Sequence, residues 1–295
     1  MSLSAAAASP RTQAIQQELD AARRQGPLQQ IVIPPCPELL SRLNRAMAEA
    51  EPDLNEVARI ATSDVAMSAT LLKAANGPLY AAGGPVQTIG AAMNRLGLNQ
   101  TAAVMSGFLV QSAIKVTSPH LQRFWERARK RAVAMNILAT HLPGMQQDIA
   151  HTYGLFCHVG LPVMMQSIKG YAGTVVEANA RIDRSFVATE NANHRTDHAV
   201  VGALVARVWQ LSPTVTAAIR LHHDMDVLSG RSVDPEVVTL MAAGQVAEYF
   251  VRRHEGIDPD ADWARQSGRV MEWLQISEAD LVTWEDELRE PLDAA

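Results

Sequence analysis

Cysteine, aromatic side chains and charge are all sparse in this chain of 295 residues, and no long apolar run interrupts it. Two cysteines, Cys36 and Cys157, are too few for a disulfide framework or a four-thiolate zinc site, and free thiols suit a reducing cytoplasm. No stretch approaches the roughly 18 consecutive apolar residues of a membrane span. Residues 1–10 are rich in Ala and Ser but lack the basic and apolar regions of a secretory signal. The expectation is a cytoplasmic protein without a membrane partner, opening with a flexible or partly helical arm over residues 1–27. Lys and Arg number 26 against 31 Asp and Glu, and a net charge of -5 argues against a field-driven binder of nucleic acid. No glycine-rich phosphate loop, alternating strand pattern or fixed-period repeat is present, which leaves an all-α class.

What is present is helical periodicity and its punctuation. Leu39, Leu40, Leu43, Ala46, Met47 and Ala50 form one stripe, ended by Glu51-Pro52. Asp53 is placed to cap the next helix with Glu56 as the reciprocal capping carboxylate, and a further helix runs from Asp64 to Ala75. Thr88 caps a helix that Gly97 should end, with Asn99 starting another. Leu121 to Leu142 is the longest clear helix, closed by Pro143-Gly144. From Gln146 to Met165 the apolar pattern is broken by Gly154, Gly160 and Pro162, predicting two short helices or a kinked one. Thr196 is set to cap a helix through Trp209, and Ser212-Pro213 to start one reaching about His222. A polar loop over 224–234 then precedes helices of roughly 235–254, 260–274 and 278–289.

Five of the nine histidines fall in three short segments: His158 beside Cys157, His194 with His198, and His222-His223 followed by Asp224. Imidazoles meeting from different helices are how helical metallohydrolases hold metals, with carboxylates bridging them. The competing reading is a set of core histidines satisfied by backbone carbonyls.

The order of motifs resembles the HDOD family, the HD-related output domain of bacterial signal-transduction proteins and a relative of HD phosphohydrolases and HD-GYP cyclic-di-GMP phosphodiesterases. The pieces that carry the resemblance are Pro34-Pro35-Cys36-Pro37-Glu38, Asp64 with Leu71 to Asn76 and Tyr80, Ile89 to Gly97, and Phe124-Trp125-Glu126. Gly154 to Gly160, Asp197 to Leu204 with Trp209, and Ile219 to Asp224 complete the set. The resemblance implies an HD-like multi-helix bundle over residues 28–230, with a helical C-terminal extension over 231–295.

The departures from the catalytic relatives decide the functional expectation. Their early metal-binding histidine is replaced on this helix by Arg127, Arg129, Lys130 and Arg131, and Arg127 is taken for the lost position. The His-Asp pair becomes His158-Val159, so no bridging carboxylate is available. The Gly-Tyr-Pro signature after the histidine pair is missing. The resemblance therefore implies a non-catalytic signalling output module, binding a partner protein or small messenger through a degenerate cleft around His158, His198, His222, His223 and Asp224.

No cofactor is expected; if a single transition metal binds, His158, His198, His222 and His223 would hold it. The alternative is a divergent metal-dependent phosphohydrolase acting on a nucleotide or cyclic dinucleotide. Arg127, Arg129 and Arg131 are candidates for binding an anion, against a reading as a solvated helix face. A Cys157-His158 dyad is disfavoured because helical neighbours point about 100 degrees apart. The acidic tail with Trp273, Leu281 and Trp284 either docks on a partner or packs on the body.

Overall fold

The computed structural model describes residues 10–295 except 25, 78, 79, 81–83, 182 and 231, and among these every regular element is helical. Residues 1–9 of the expected arm lie outside that set. The next residues form α1 (Pro10–Arg24), whose Ile15 and Leu19 are fully buried. Burial of such side chains contributes about 1.5–3 kcal/mol each before ordering costs. Ion pairs Glu18–Arg220 at 2.6 Å and Asp20–Arg207 at 2.7 Å add to this seat.

Short polar caps set the next elements, α2 (Glu38–Ala48), α3 (Leu54–Thr62) and α4 (Val65–Ala75). Asp53 accepts hydrogen bonds from the Asn55 and Glu56 amides, and Asp64 from that of Met67. Glu56 does not close the expected reciprocal box. Its carboxylate pairs with Arg42 at 2.7 Å and Arg59 at 2.8 Å, and a guanidinium is the stronger partner. Thr88 caps α5 (Ile89–Ala113) as its position suggests. Gly97, with φ 75° and ψ 169°, lies outside helical geometry and divides this span into two helices across a kink, as its position predicts.

The centre of the molecule is the close pairing of α6 (Phe124–His141) with α7 (Gln147–Phe156). A Cβ on Gly154 would lie 2.8 Å from the Ala132 Cα, so the two backbones meet there. The chain then turns into α8 (Gly160–Ser167), confirming the expected pair of short helices. Gly160 packs still more tightly on the following layer: a Cβ would come within 2.0 Å of the His198 carbonyl oxygen. α9 (Tyr171–Ala180) and α10 (Phe186–His194) occupy a stretch for which the sequence reading assigns no helix.

α11 (His198–Val208) is capped by Asp197, which accepts from the Val200 amide at 2.9 Å. Thr196, the expected cap, is buried with its hydroxyl unpartnered, because the next residue places a carboxylate at the helix N-terminus. Ser212 caps α12 (Pro213–Leu221) as predicted. α13 (Pro235–His254) packs on α6 and α12 and buries Val238, Met241 and Phe250, while α14 (Ala261–Leu274) and α15 (Glu278–Ala294) complete the bundle. Trp284 is buried and Trp273 donates its indole N–H to the Thr239 hydroxyl, so both tryptophans pack the final helices inward. Among the described residues no helix is long and apolar enough to cross a membrane.

Candidate metal centre

Four histidines that the sequence scatters over 66 positions meet at helix ends. His158 stands in the turn between α7 and α8, His198 opens α11, His222 closes α12 and His223 follows it. One ring nitrogen from each lies within 4.8 Å of all the others. The Nδ1 of His158 and the Nε2 atoms of His198 and His222 form a triangle with every edge 3.2 Å, and His223 Nε2 is 3.2 Å from His198 Nε2. Around a tetrahedral zinc ion, bonds of about 2.0–2.1 Å set neighbouring nitrogens about 3.3–3.4 Å apart. The spacing fits a small cation.

The far nitrogens of three rings are already committed. His198 Nδ1 donates to Glu190 at 2.7 Å, His222 Nδ1 to the Ile219 carbonyl at 2.7 Å, and His223 Nδ1 to Asp262 at 2.8 Å. A neutral imidazole with its proton on Nδ1 has its lone pair on Nε2, so three lone pairs face the common centre. Glu190 is fully buried; its other oxygen accepts from the Tyr171 hydroxyl, and the His198 backbone N–H reaches Glu190 Oε2 at 3.3 Å.

Electrostatics favour the neutral form of two of the four rings. Burial, the nearby Arg131 cation and the neighbouring imidazoles hold His158 well below the ordinary histidine value, and burial with the neighbouring rings does the same for His222. Burial opposes charge on His223 too, but the hydrogen bond and charge of Asp262 outweigh it and raise that ring. Neutral imidazoles in hydrogen-bond-fixed tautomers are the form that ligates transition metals. The four histidines could hold a metal ion.

The other named residues are placed differently. Asp224 is exposed and lies outside the group of four. His194, one turn from His198 in sequence, contacts the Thr174 hydroxyl. Arg127 pairs with Glu255 at 2.6 Å, and the cation acting on His158 is Arg131, one turn further along α6. Arg131 is buried, donating to the Gly154 carbonyl at 3.2 Å and pairing with Glu248 at 2.9 Å. Arg129 donates to the Ala295 backbone and Gln111. The three guanidiniums thus point to separate protein acceptors, and Lys130 is buried as well, so α6 does not carry one solvated basic face.

Burial pushes the Cys157 thiol up to about 11, which leaves it protonated and removes its nucleophilic form near neutral pH. Val159 is fully buried, against α11 at Gly202. Glu190 and Asp262 are absent from the sequence reading. Glu190 sits in α10, where no apolar period is legible, and Asp262 comes from the first turn of α14, 39 residues beyond the ring it holds.

With this geometry in place, the HDOD domain family matches residues 33–225. The chain belongs to the HDOD family. Solved structures share its fold. A candidate signal transduction protein from Marinobacter aquaeolei aligns with a TM-score of 0.72 at 20% identity, covering 96% of this chain and 64% of that one. An HDOD domain protein of unknown function from Geobacter sulfurreducens gives 0.71 at 19%, covering 95% and 98%. A candidate phosphohydrolase from Shewanella amazonensis gives 0.70 at 21%, covering 97% of each. An uncharacterised Treponema pallidum protein is 26% identical over 199 residues, and the match spans 65% of this chain but only 38% of that relative.

Proposed function

We propose that this HDOD chain is a signalling output module that binds a partner protein or small messenger, and that its four-histidine centre holds one transition-metal ion as a structural junction. The observation that carries the reading is the closed, all-nitrogen donor set. Four protein ligands fill a tetrahedral site, which is the pattern of structural sites; catalytic sites keep a position open. When bound, the ion supplies a cross-link between the α7–α8 turn, α11 and the end of α12. The sequence reading expects no cofactor, but three outer hydrogen bonds that fix lone pairs toward one point weigh in favour of a metal.

Hydrolysis by two metals would need a bridging carboxylate, and Val159 offers no lone pair where the resemblance to HD enzymes implies one. Asp262 belongs to the C-terminal extension, so the extension supports the centre that the family-matched region contains. Unpaired Cys36 and Cys157 fit a cytoplasmic setting. The second reading, a divergent phosphohydrolase, draws on the partial exposure of His158 and His223, which leaves the cluster reachable from solvent.

One preparation tests both. Protein purified without chelator or metal-affinity resin is assayed by elemental mass spectrometry beside a His158→Ala, His222→Ala double variant, and for cleavage of bis(p-nitrophenyl) phosphate. One equivalent of metal, lost in the double variant, with no turnover supports the junction; chelation should then lower stability by about 2.7 kcal/mol when free metal had stood at 100 times its Kd. Two equivalents with turnover above background favours the hydrolase. Metal in neither sample removes the junction.

A further inference from the structure

A second feature lies at the opposite end of α7, away from the four histidines. A groove of about 410 Å³ opens where the kink of α5 faces α6 and the first turns of α7. Its walls carry the side-chain amides of Asn99, Gln100, Asn136 and Gln147, and at its edge stands His151. Among the described residues none of these four amides has a hydrogen-bond partner within the protein, and His151 Nδ1 is buried without one. His151 as a whole is nine-tenths buried. The four amides reach solvent, but a polar atom held out of water without a partner, as His151 Nδ1 is, is costly, so this edge of the groove is either water-filled or shaped for a ligand that completes it.

The donor chemistry narrows the ligand. An amide side chain offers one acceptor and two N–H donors side by side, the arrangement that pairs with the adjacent donor and acceptor on the edge of an adenine ring. Burial pushes His151 down to about 4, so the ring is neutral near pH 7 and adds no positive charge. Among the described residues no Lys or Arg lines the groove, and Asp148 stands in the first turn of α7, where the positive end of that helix favours its charge. An anionic phosphate therefore finds no counter-charge there. Tyr80 adds an aromatic ring to the wall, and the volume lies within the roughly 300–1,000 Å³ range of small-molecule sites.

We propose that this groove is a binding site for an uncharged nucleobase or nucleoside of the adenine type, read by the amides of Asn99, Gln100, Asn136 and Gln147 together with His151. The site is separate from the histidine centre and does not depend on metal there.

The test uses the full chain and adenosine as probe, followed by titration calorimetry, with adenosine 5′-monophosphate and inorganic phosphate as parallel arms. Saturable adenosine binding that falls at least about tenfold in Asn136→Leu and in Gln147→Leu is the expected result, since each change leaves a ligand polar group unpaired. Gln147 is exposed, so its variant keeps the test clear of folding defects, and circular dichroism melts of both variants verify that. Three outcomes would overturn the assignment: no saturable adenosine binding, binding undiminished in both folded variants, or inorganic phosphate or the monophosphate binding at least about tenfold more tightly than adenosine, which would make charge the recognised feature.

Discussion

The two ends of α7 carry histidines in opposite circumstances. Past its C-terminal end, His158 joins three other imidazoles, and the far nitrogens of those three are held by Glu190, the Ile219 carbonyl and Asp262. Near its N-terminal end, His151 borders a groove whose amides bond to nothing in the described protein. Burial depresses both rings. The difference is the surrounding commitment: one region is fixed in orientation by hydrogen bonds on its outside, while at the other the amides face solvent and His151 Nδ1 is buried without a partner. A buried histidine is thus interpretable only through the partners of its ring atoms.

Replacing Glu190 should break the ordered end hardest. Glu190→Ala leaves the His198 ring N–H and backbone N–H and the Tyr171 hydroxyl without their acceptor inside the bundle. A loss of about 3–5 kcal/mol is expected from stranding buried polar groups of a charged network. Urea unfolding checks this, and Glu190→Gln, which retains an acceptor oxygen, should fall between the variant and the wild type.

The groove end is addressed by pH. His151 is a base depressed from 6.5 to about 4, so between those values the unfolded chain takes up a proton that the folded one refuses. Stability must therefore fall as pH drops below 6.5, with the loss from this ring complete near pH 4 and worth about 3 kcal/mol. Unfolding at pH 7 and pH 4.5 should show a shallower dependence in His151→Leu than in the wild type. An unchanged dependence would show that the ring is not held neutral.

The smallest effect sharpens the contrast. Asn99 and Gln147 are exposed and make no internal bond among the described residues, so Asn99→Ala and Gln147→Ala should each stay within about 0.5 kcal/mol of wild-type stability. A loss above 1 kcal/mol in the same urea assay would assign the amides a structural duty and remove the contrast with Glu190.

Much of the helical plan was legible because it depends on local chemistry. Asp53, Asp64, Thr88 and Ser212 cap where their side chains can reach the first free amides, and Gly160 opens α8 just after the turn that ends α7. Local rules failed where two residues competed. Asp197 displaced Thr196, and Arg42 drew Glu56 away from its own helix end. At the site, His158, His198, His222 and His223 were visible as residues. The arginine that turns inward toward His158 is Arg131, which helical spacing alone does not single out from Arg127 and Arg129.

What the sequence determined by itself was the all-helical class, the family, the absence of a carboxylate after His158 and the identity of four candidate nitrogens. These follow from side-chain chemistry and short-range spacing. Only the tertiary structure decided that the four nitrogens converge, that Glu190 and Asp262 orient them, and that the amides of α5, α6 and α7 share one groove. Each of those facts joins residues on different helices, and their distances are set by how glycine-thinned backbones pack, which no local pattern encodes.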